Sequence, residues 1–189
     1  MSRWLVLLFA LVGCGSSVPL YTRHTLQKQA YLDTPVWIDQ NLSPLARQAI
    51  AQGLSDWNLA LNGHRHYTFK GYINPANSDD IAAFVSSDYS SLAFLSKSYK
   101  DQENSVLGYV NSANESVIYL IDDLPSMDLQ HEHHVVIHEM GHTLGLEHMS
   151  NSLMAPNSDG SKDCIDKKTL MVLAALQDWP LETLNWCDQ

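Results

Sequence analysis

The histidine motif at residues 138–148 is the feature that most constrains what this chain of 189 residues can fold into. His138 and His142 are four residues apart, so on a helix they lie on one face and can bind one ion. Glu139 follows the first histidine, where its carboxylate can reach a water on that ion without binding the ion. Gly145 can end the helix in a sharply turned backbone, which brings His148 to the same ion. Three imidazoles leave the fourth position of a zinc ion open, as catalysis requires; the alternative is a histidine-rich helix without a metal.

The extended pattern His-Glu-x-x-His-x-x-Gly-x-x-His resembles the signature of the metzincin zinc endopeptidases, whose second hallmark is a methionine turn beneath the metal. Residues 152–156, which read Ser-Leu-Met-Ala-Pro, are similar to that turn, with Met154 as its methionine. The sequence of residues 152–156 and the short connection from His148 to Met154 are most similar to the matrixin branch, although that connection is shorter than matrixins usually show. The resemblance implies an α+β metzincin-like (zincin) domain, with a twisted mixed sheet, an active-site helix and a C-terminal helix.

The resemblance also implies a chemistry, the zinc-dependent hydrolysis of internal peptide bonds. One zinc ion held by His138, His142 and His148 would activate water and polarise the scissile carbonyl. Glu139 would act as the general base and then pass the proton to the leaving amine. Met154 would form an apolar floor under the histidines without binding the ion. Two alternatives stay open, a non-enzymatic zinc-binding lipoprotein and a zinc hydrolase of cell-wall peptides; a site without catalysis has no need of Glu139.

A further implication concerns a strand candidate upstream of the motif, formed by Leu107, Gly108, Tyr109 and Val110. In the metzincin domain the fourth strand is a sheet edge that lines the cleft, so a peptide substrate would add to it as an extra strand. Gly108 would allow close backbone approach at that edge. The alternative is an internal strand with an ordinary glycine.

The N-terminus predicts export and anchoring. Arg3 precedes an apolar run at residues 4–12 that is too short to span a bilayer, so residues 1–13 are interpreted as a signal peptide. Residues 11–14, Leu-Val-Gly-Cys, resemble a bacterial lipobox, which implies cleavage before Cys14, diacylglycerol on its sulfur and an acyl chain such as palmitate on its amine. More than one chain gives stable anchoring. The expected location is the bacterial cell envelope outside the cytoplasm, at the outer membrane if the cell has two; the alternative is an ordinary secretory signal.

The remainder of the chain predicts a tether at residues 14–34 and one domain at residues 35–189. We expect strands at residues 35–39, 66–72, 81–85, 106–110 and 116–121, and helices at residues 44–61, 129–146 and 167–177. Residues 86–104 are serine-rich and fit no pattern well. Asp163 to Asp166 are expected to cap the last helix.

Composition and the remaining side chains bear on partners. The net charge of −10 gives no support to nucleic-acid binding. The resemblance implies a protein or peptide substrate, and we expect a monomer. Cys164 and Cys187 in an exported chain predict a disulfide, with two free thiols as the alternative. Residues 131–134, His-Glu-His-His, are interpreted as a hydrated helix start, with a second metal site as the alternative. The aspartates at positions 79, 80, 122 and 123 could hold calcium, as the resemblance to matrixins implies, but they lack EF-hand spacing. Calcium binding therefore stays open.

Overall fold

The computed structural model describes residues 32–75, 91–97, 107–111, 114–121, 127–156 and 163–187. The predicted signal peptide, Cys14 with its lipid, the strand expected at residues 81–85 and the four aspartates considered for calcium lie outside these ranges. None of the helices within them combines the length and the apolar character that crossing a membrane requires.

Five strands and three helices make up the described domain. In chain order they are β1 (Leu32–Asp39), α1 (Pro44–Leu61), β2 (Arg65–Ile73), β3 (Leu92–Lys97), β4 (Gly108–Asn111), β5 (Asn114–Ile121), α2 (Leu129–Thr143) and α3 (Lys167–Gln177), followed by a 3-10 turn at Leu181–Thr183. The sheet order is β2-β1-β3-β5-β4. The first four strands of that order are parallel to their neighbours, whereas β4 is antiparallel to β5. This mixed sheet, with the helix that carries the histidine motif and a C-terminal helix, confirms the predicted fold class.

Both long helices pack on one face of the sheet and form the main core with it. The strands contribute Val36, Ile38, Phe94, Ile118 and Leu120, and the helices contribute Ala49, Ile50, Trp57, Val136, Ile137 and Met140. The two helices approach closely because Gly53 has no side chain: a Cβ there would lie 2.7 Å from Val136 Cγ1. The Trp57 indole N–H donates to the Ile137 carbonyl across the same interface at 3.0 Å. Helix α2, which carries the histidine motif, is therefore fixed against α1.

The ends of α1 match the predicted ones for physical reasons that the sequence carries. The Ser43 hydroxyl accepts from the Ala46 N–H at 3.0 Å, and Pro44 opens the helix at a position where no N–H is needed. Asn62 ends it in a left-handed conformation with φ 45°. The helix predicted at residues 44–61 is confirmed.

Strand β3 is the element that the sequence did not predict. It lies inside the segment that fitted no pattern, and its residues 92–95 are all at most 2% exposed. A strand covered on both faces has no alternation of polar and apolar residues, so its pattern resembles any short apolar run.

Several boundaries also differ from those predicted; β2 and β4 differ by one or two residues at each end. Helix α2 ends at Thr143 and not at residue 146, because the chain turns at Gly145 with φ 86°. Strand β5 begins at Asn114, within the expected turn at residues 111–115. Strand β1 begins at Leu32, three residues before the predicted start of the domain at residue 35, because residues 32–34 pair in parallel with the start of β2.

Candidate metal centre and active site

The motif histidines converge at the C-terminal end of α2. His138 and His142 stand one turn apart on that helix, and their Nε2 atoms are 3.2 Å apart. The chain then turns back at Gly145, where φ is 86°, a conformation that side chains with a Cβ rarely adopt. This turn brings in His148, so that one nitrogen from each of the three rings lies within 4.8 Å of the others. The structure thus brings together all three histidines that the motif singled out.

Hydrogen bonds from the other ring nitrogens fix the tautomers. The Nδ1 of His138 lies 2.9 Å from the Leu153 carbonyl oxygen, and the Nδ1 of His142 lies 2.7 Å from the Leu146 carbonyl oxygen. A carbonyl oxygen only accepts, so each Nδ1 carries the proton and each Nε2 of the neutral ring presents a lone pair.

Two lone pairs that face each other at 3.2 Å repel and cannot form a hydrogen bond with one another. Two nitrogens at zinc-ligand distance on one tetrahedral ion are separated by roughly 3.3 Å. The donor set, the spacing and the tautomers therefore all fit a zinc ion, with His138, His142 and His148 as its ligands.

The protonation of the ligands suits metal binding. Burial lowers the pKa of His138 to about 4, an effect that exceeds the opposing one of its bond to Leu153. Burial also lowers the pKa of His142. Both imidazoles are consequently neutral near pH 7, which is the form that binds a metal.

Glu139 lies under strand β4. Burial raises the pKa of its carboxyl to about 7, and the Val110 backbone N–H, which donates to it, opposes that shift. Gly108 allows the close approach of β4 to α2, since a Cβ there would lie 2.7 Å from Val135 Cγ1 and 3.0 Å from Glu139 Cγ. Among the described strands, β4 is at one edge of the sheet. Strand β4, with Leu107 just before it, thus runs along the helix beside Glu139.

Met154 lies beneath the ligand helix, as expected for an apolar floor. It is fully buried, and its Sδ would lie 2.5 Å from a Cβ on Gly141, so the glycine makes room for the sulfur. The turn around it closes through a 2.7 Å bond from the Met149 N–H to the Met154 carbonyl. Ser152 stabilises this turn, because its hydroxyl donates to the Met149 carbonyl at 2.9 Å and accepts from the Met154 N–H at 3.1 Å.

Sequence reasoning missed a contact behind the methionine turn. The Leu153 N–H donates to the Asp166 carboxylate at 2.6 Å, although Asp166 was expected only to cap α3, which it also does. A cap is visible from neighbouring residues, whereas nothing in the sequence signals a bond across 13 positions. Two residues before Asp166, Cys164 is joined to Cys187 in a disulfide.

The interpretation of residues 131–134 as a hydrated helix start is wrong for three of the four. Glu132, His133 and His134 are between 1% and 7% exposed. The Nε2 of His133 lies 3.1 Å from the Asp56 carboxylate on α1, so this residue packs between the two helices. The motif histidines are the only group that can hold a metal ion within the described ranges, which leaves the second metal site without support there.

Comparison with known proteins gives a likeness of fold. No family model and no curated protein matches the chain. Among solved structures, archaemetzincin from Methanopyrus kandleri is similar with a TM-score of 0.55 and 14% identity, over 82% of this chain and 99% of that one. Myroilysin matches with a TM-score of 0.37 and 19% identity, over 64% of this chain and 44% of that one. At that identity the first likeness concerns the fold alone, and it agrees with a metzincin-like domain.

Proposed function

We propose that this protein is a zinc-dependent endopeptidase that cleaves proteins or peptides outside the cytoplasm. The observation that carries the proposal is the pair of imidazole lone pairs that face each other at 3.2 Å, with a third imidazole beside them. Such a pair is favourable only around a cation, and Glu139 follows directly in the sequence. The archaemetzincin-like fold supports the same proposal.

Zinc bound by the three histidines would polarise the scissile carbonyl and make water more acidic. The residues of the protein contribute proton transfer and the positioning of the substrate. Glu139 takes a proton from the attacking water as the general base and then hands it to the leaving amine nitrogen. A carboxyl with a pKa of about 7 suits both steps, since its protonated and ionised forms are close in free energy at neutral pH.

Strand β4 is proposed to position the substrate. It is a sheet edge and lies over Glu139, whose Oε1 would be 3.5 Å from a Cβ on Gly108. A peptide that adds to this edge as an extra strand would run past the carboxyl with its backbone held by hydrogen bonds. The residues proposed to form that surface are Leu107, Gly108, Tyr109 and Val110.

The matrixin-like sequence of residues 152–156 favours, within this proposal, a matrixin-like endopeptidase, although the fold likeness does not distinguish the branches.

The competing functions are distinguished by the substrate that the protein cleaves. Purified protein is assayed on a library of quenched peptides and on purified peptidoglycan, with Glu139→Ala as the inactive control. Cleavage of the peptides that this variant lacks supports the proposal. Cleavage of peptidoglycan alone, or of neither substrate by zinc-loaded protein, overturns it.

We further propose that the protein is a lipoprotein of the bacterial cell envelope, anchored through Cys14. The support is the lipobox-like sequence, which precedes the start of β1 at Leu32 by 18 residues. Cells that express the wild type or Cys14→Ser are labelled with radioactive palmitate. Label in the wild type alone is expected; equal labelling or equal release of the two proteins would rule out the anchor.

A further inference from the structure

We propose that Asp166, held in place by the Cys164–Cys187 disulfide, positions the metal ligand His138 through the backbone of Leu153. The inference rests on the proposed zinc site and adds to it a support that reaches the C-terminal end of the described chain. Three contacts in series carry it, and each involves a buried group.

The first contact fixes the carboxylate. Asp166 is 8% exposed and accepts three hydrogen bonds. Its Oδ2 accepts from the Leu153 N–H at 2.6 Å and from the Thr169 hydroxyl at 2.9 Å, while its Oδ1 accepts from the Thr169 N–H at 3.1 Å. Both oxygens are thus engaged, so the side chain has one orientation.

The second contact passes this orientation to the metal ligand. Leu153 is fully buried, and its backbone is held at both ends, with its N–H on Asp166 and its carbonyl accepting from His138 Nδ1 at 2.9 Å. The direction of that carbonyl sets both the tautomer of His138 and the direction in which its Nε2 points. A shift of Leu153 therefore changes the ligand itself.

The third contact fixes the segment that precedes Asp166. Cys164 and Cys187 are buried, with Cα atoms 6.2 Å apart, and the Cys187 N–H donates to the Ile165 carbonyl at 3.1 Å. Asp166 itself pairs with Cys187 in an isolated bridge. The backbone on the N-terminal side of Asp166 is thus tied covalently to the C-terminal segment.

That segment is in turn anchored to the end of α1. The Asn185 N–H donates to the Ala60 carbonyl at 2.9 Å, and the Asn62 side-chain amide donates to the Thr183 carbonyl at 2.8 Å. Helix α1 also packs against α2, which carries His138. The segment that supports His138 and the helix that carries it are therefore both held by α1.

His142 provides an internal reference. Its Nδ1 bonds to the Leu146 carbonyl at 2.7 Å, only four residues further along the chain, so it does not depend on Asp166. Loss of the Asp166 contact should therefore disturb one ligand of three and weaken zinc binding without abolishing it.

The test compares variants of the full chain. Asp166→Ala is the central one, because alanine removes every acceptor of the carboxylate and leaves the buried Leu153 N–H without it. It also removes the cap of α3, so its control must lose a helix cap as well. Cys164→Ala combined with Cys187→Ala removes the disulfide. Ser43→Ala is the matched control, since it removes the N-cap of another helix, α1, where the serine hydroxyl accepts from the Ala46 N–H.

Two measurements are made on each folded variant: the zinc dissociation constant by chelator competition, and the visible absorption spectrum of the cobalt-substituted protein. Asp166→Ala and the double cysteine variant are expected to weaken zinc binding about 10-fold to 100-fold, the range for outer partners of a metal-binding histidine. Their cobalt spectra should change together. Ser43→Ala should lower the melting temperature and leave both readouts as in the wild type.

Wild-type affinity and spectrum in folded Asp166→Ala would overturn the inference, whatever happens to its melting temperature. Equal weakening in Ser43→Ala would also overturn it, because the effect would then be one of general stability. If the double cysteine variant fails to fold, Asp166→Ala alone decides. A wild type that binds no zinc would refute the proposed function itself, which is a different outcome from a wild type that binds zinc as well as its variants do.

Discussion

At the scale of single residues, burial shifts the pKa values of two neighbouring groups in the site in opposite directions. Burial lowers the pKa of His138 to about 4 and raises that of its neighbour Glu139 to about 7. Desolvation disfavours the charged form of each group, which is the cation for histidine and the anion for glutamate. Both are therefore biased towards neutrality, and a divalent cation at the site would reverse the bias only for Glu139.

This asymmetry predicts a proton release that depends on pH. At pH 6 the Glu139 carboxyl of the metal-free protein holds its proton, and a nearby cation favours the anion, so zinc binding should release about one proton from it. His138 is already neutral at that pH and should release none. Titration calorimetry in buffers of different ionisation enthalpy gives the count. The wild type should exceed Glu139→Gln by nearly one proton at pH 6 and by almost none at pH 8; equal counts at pH 6 would contradict the assignment.

The same carboxylate predicts a large effect on rate. Glu139→Ala should retain zinc and lose at least about 10³-fold in peptidase activity, because the general base and the proton carrier are one group. Zinc content and kcat/KM are measured on the same preparation. His142→Ala is the counterpart, expected to lose the metal. Activity that persists in zinc-loaded Glu139→Ala would exclude Glu139 from the reaction.

Most of the site was predictable at this scale because its spacing is local. His138, Glu139 and His142 lie on one helix, and Gly145 and Met154 follow within a short stretch, so helix periodicity and turn chemistry determine their arrangement. Asp166 was not predictable in its supporting role. Its bond to Leu153 depends on how the loop after the motif folds back, and no residue type requires that geometry.

At the scale of elements, one glycine determines how closely β4 approaches α2. The strand lies against the helix only because position 108 has no side chain, as a Cβ there would come within 3.0 Å of both Val135 and Glu139. An added methyl group must push the strand away or displace the Glu139 carboxyl. The distance between β4 and the carboxyl that is proposed to act as general base thus depends on Gly108.

Gly108→Ala should accordingly reduce both activity and stability. We expect a loss of about 1–3 kcal/mol in the free energy of unfolding, as for other overpacked sites, together with a fall in kcat/KM. Tyr119→Phe on the neighbouring strand β5 is the control, since its ring stacks on Tyr109 and it lies outside the proposed substrate surface. Chemical denaturation and peptide hydrolysis are measured for both. Full activity in Gly108→Ala would show that the close contact at position 108 is not needed to position β4 relative to Glu139.

Elements with a clear pattern were predicted well, and those without one were not. Helices α1 and α3 have the predicted bounds because caps mark their ends, Ser43 and Asn62 for the first and Asp166 for the second. Strand β3 was missed because burial on both faces erases alternation. The end of α2 was placed three residues late, at residue 146 instead of Thr143, because apolar residues continue beyond the last turn.

At the scale of the whole molecule, the disulfide links two segments that meet only in the folded chain. Cys164 and Cys187 are separated by 23 positions, and their removal as an alanine pair should lower the free energy of unfolding by about 3 kcal/mol on loop-closure grounds. Urea denaturation of the pair variant and of the wild type measures the difference. Identical midpoints and slopes for the two would mean that the bond adds nothing to stability.

The two edges of the sheet differ in a way that bears on what can attach to them. Along β2, Lys70 is the extra residue at the register shift against β1, and a bulge with a charged side chain discourages a further strand from pairing. Strand β4 has its own register shift only at its end, between Val110 and Asn111, where the extra residues belong to β5, and it is only four residues long. At the usual rise of a strand it extends about 13 Å, so backbone pairing there can grip roughly four residues of an extended peptide. Under the proposed function the enzyme would therefore favour exposed, flexible segments and would have little hold on a folded strand.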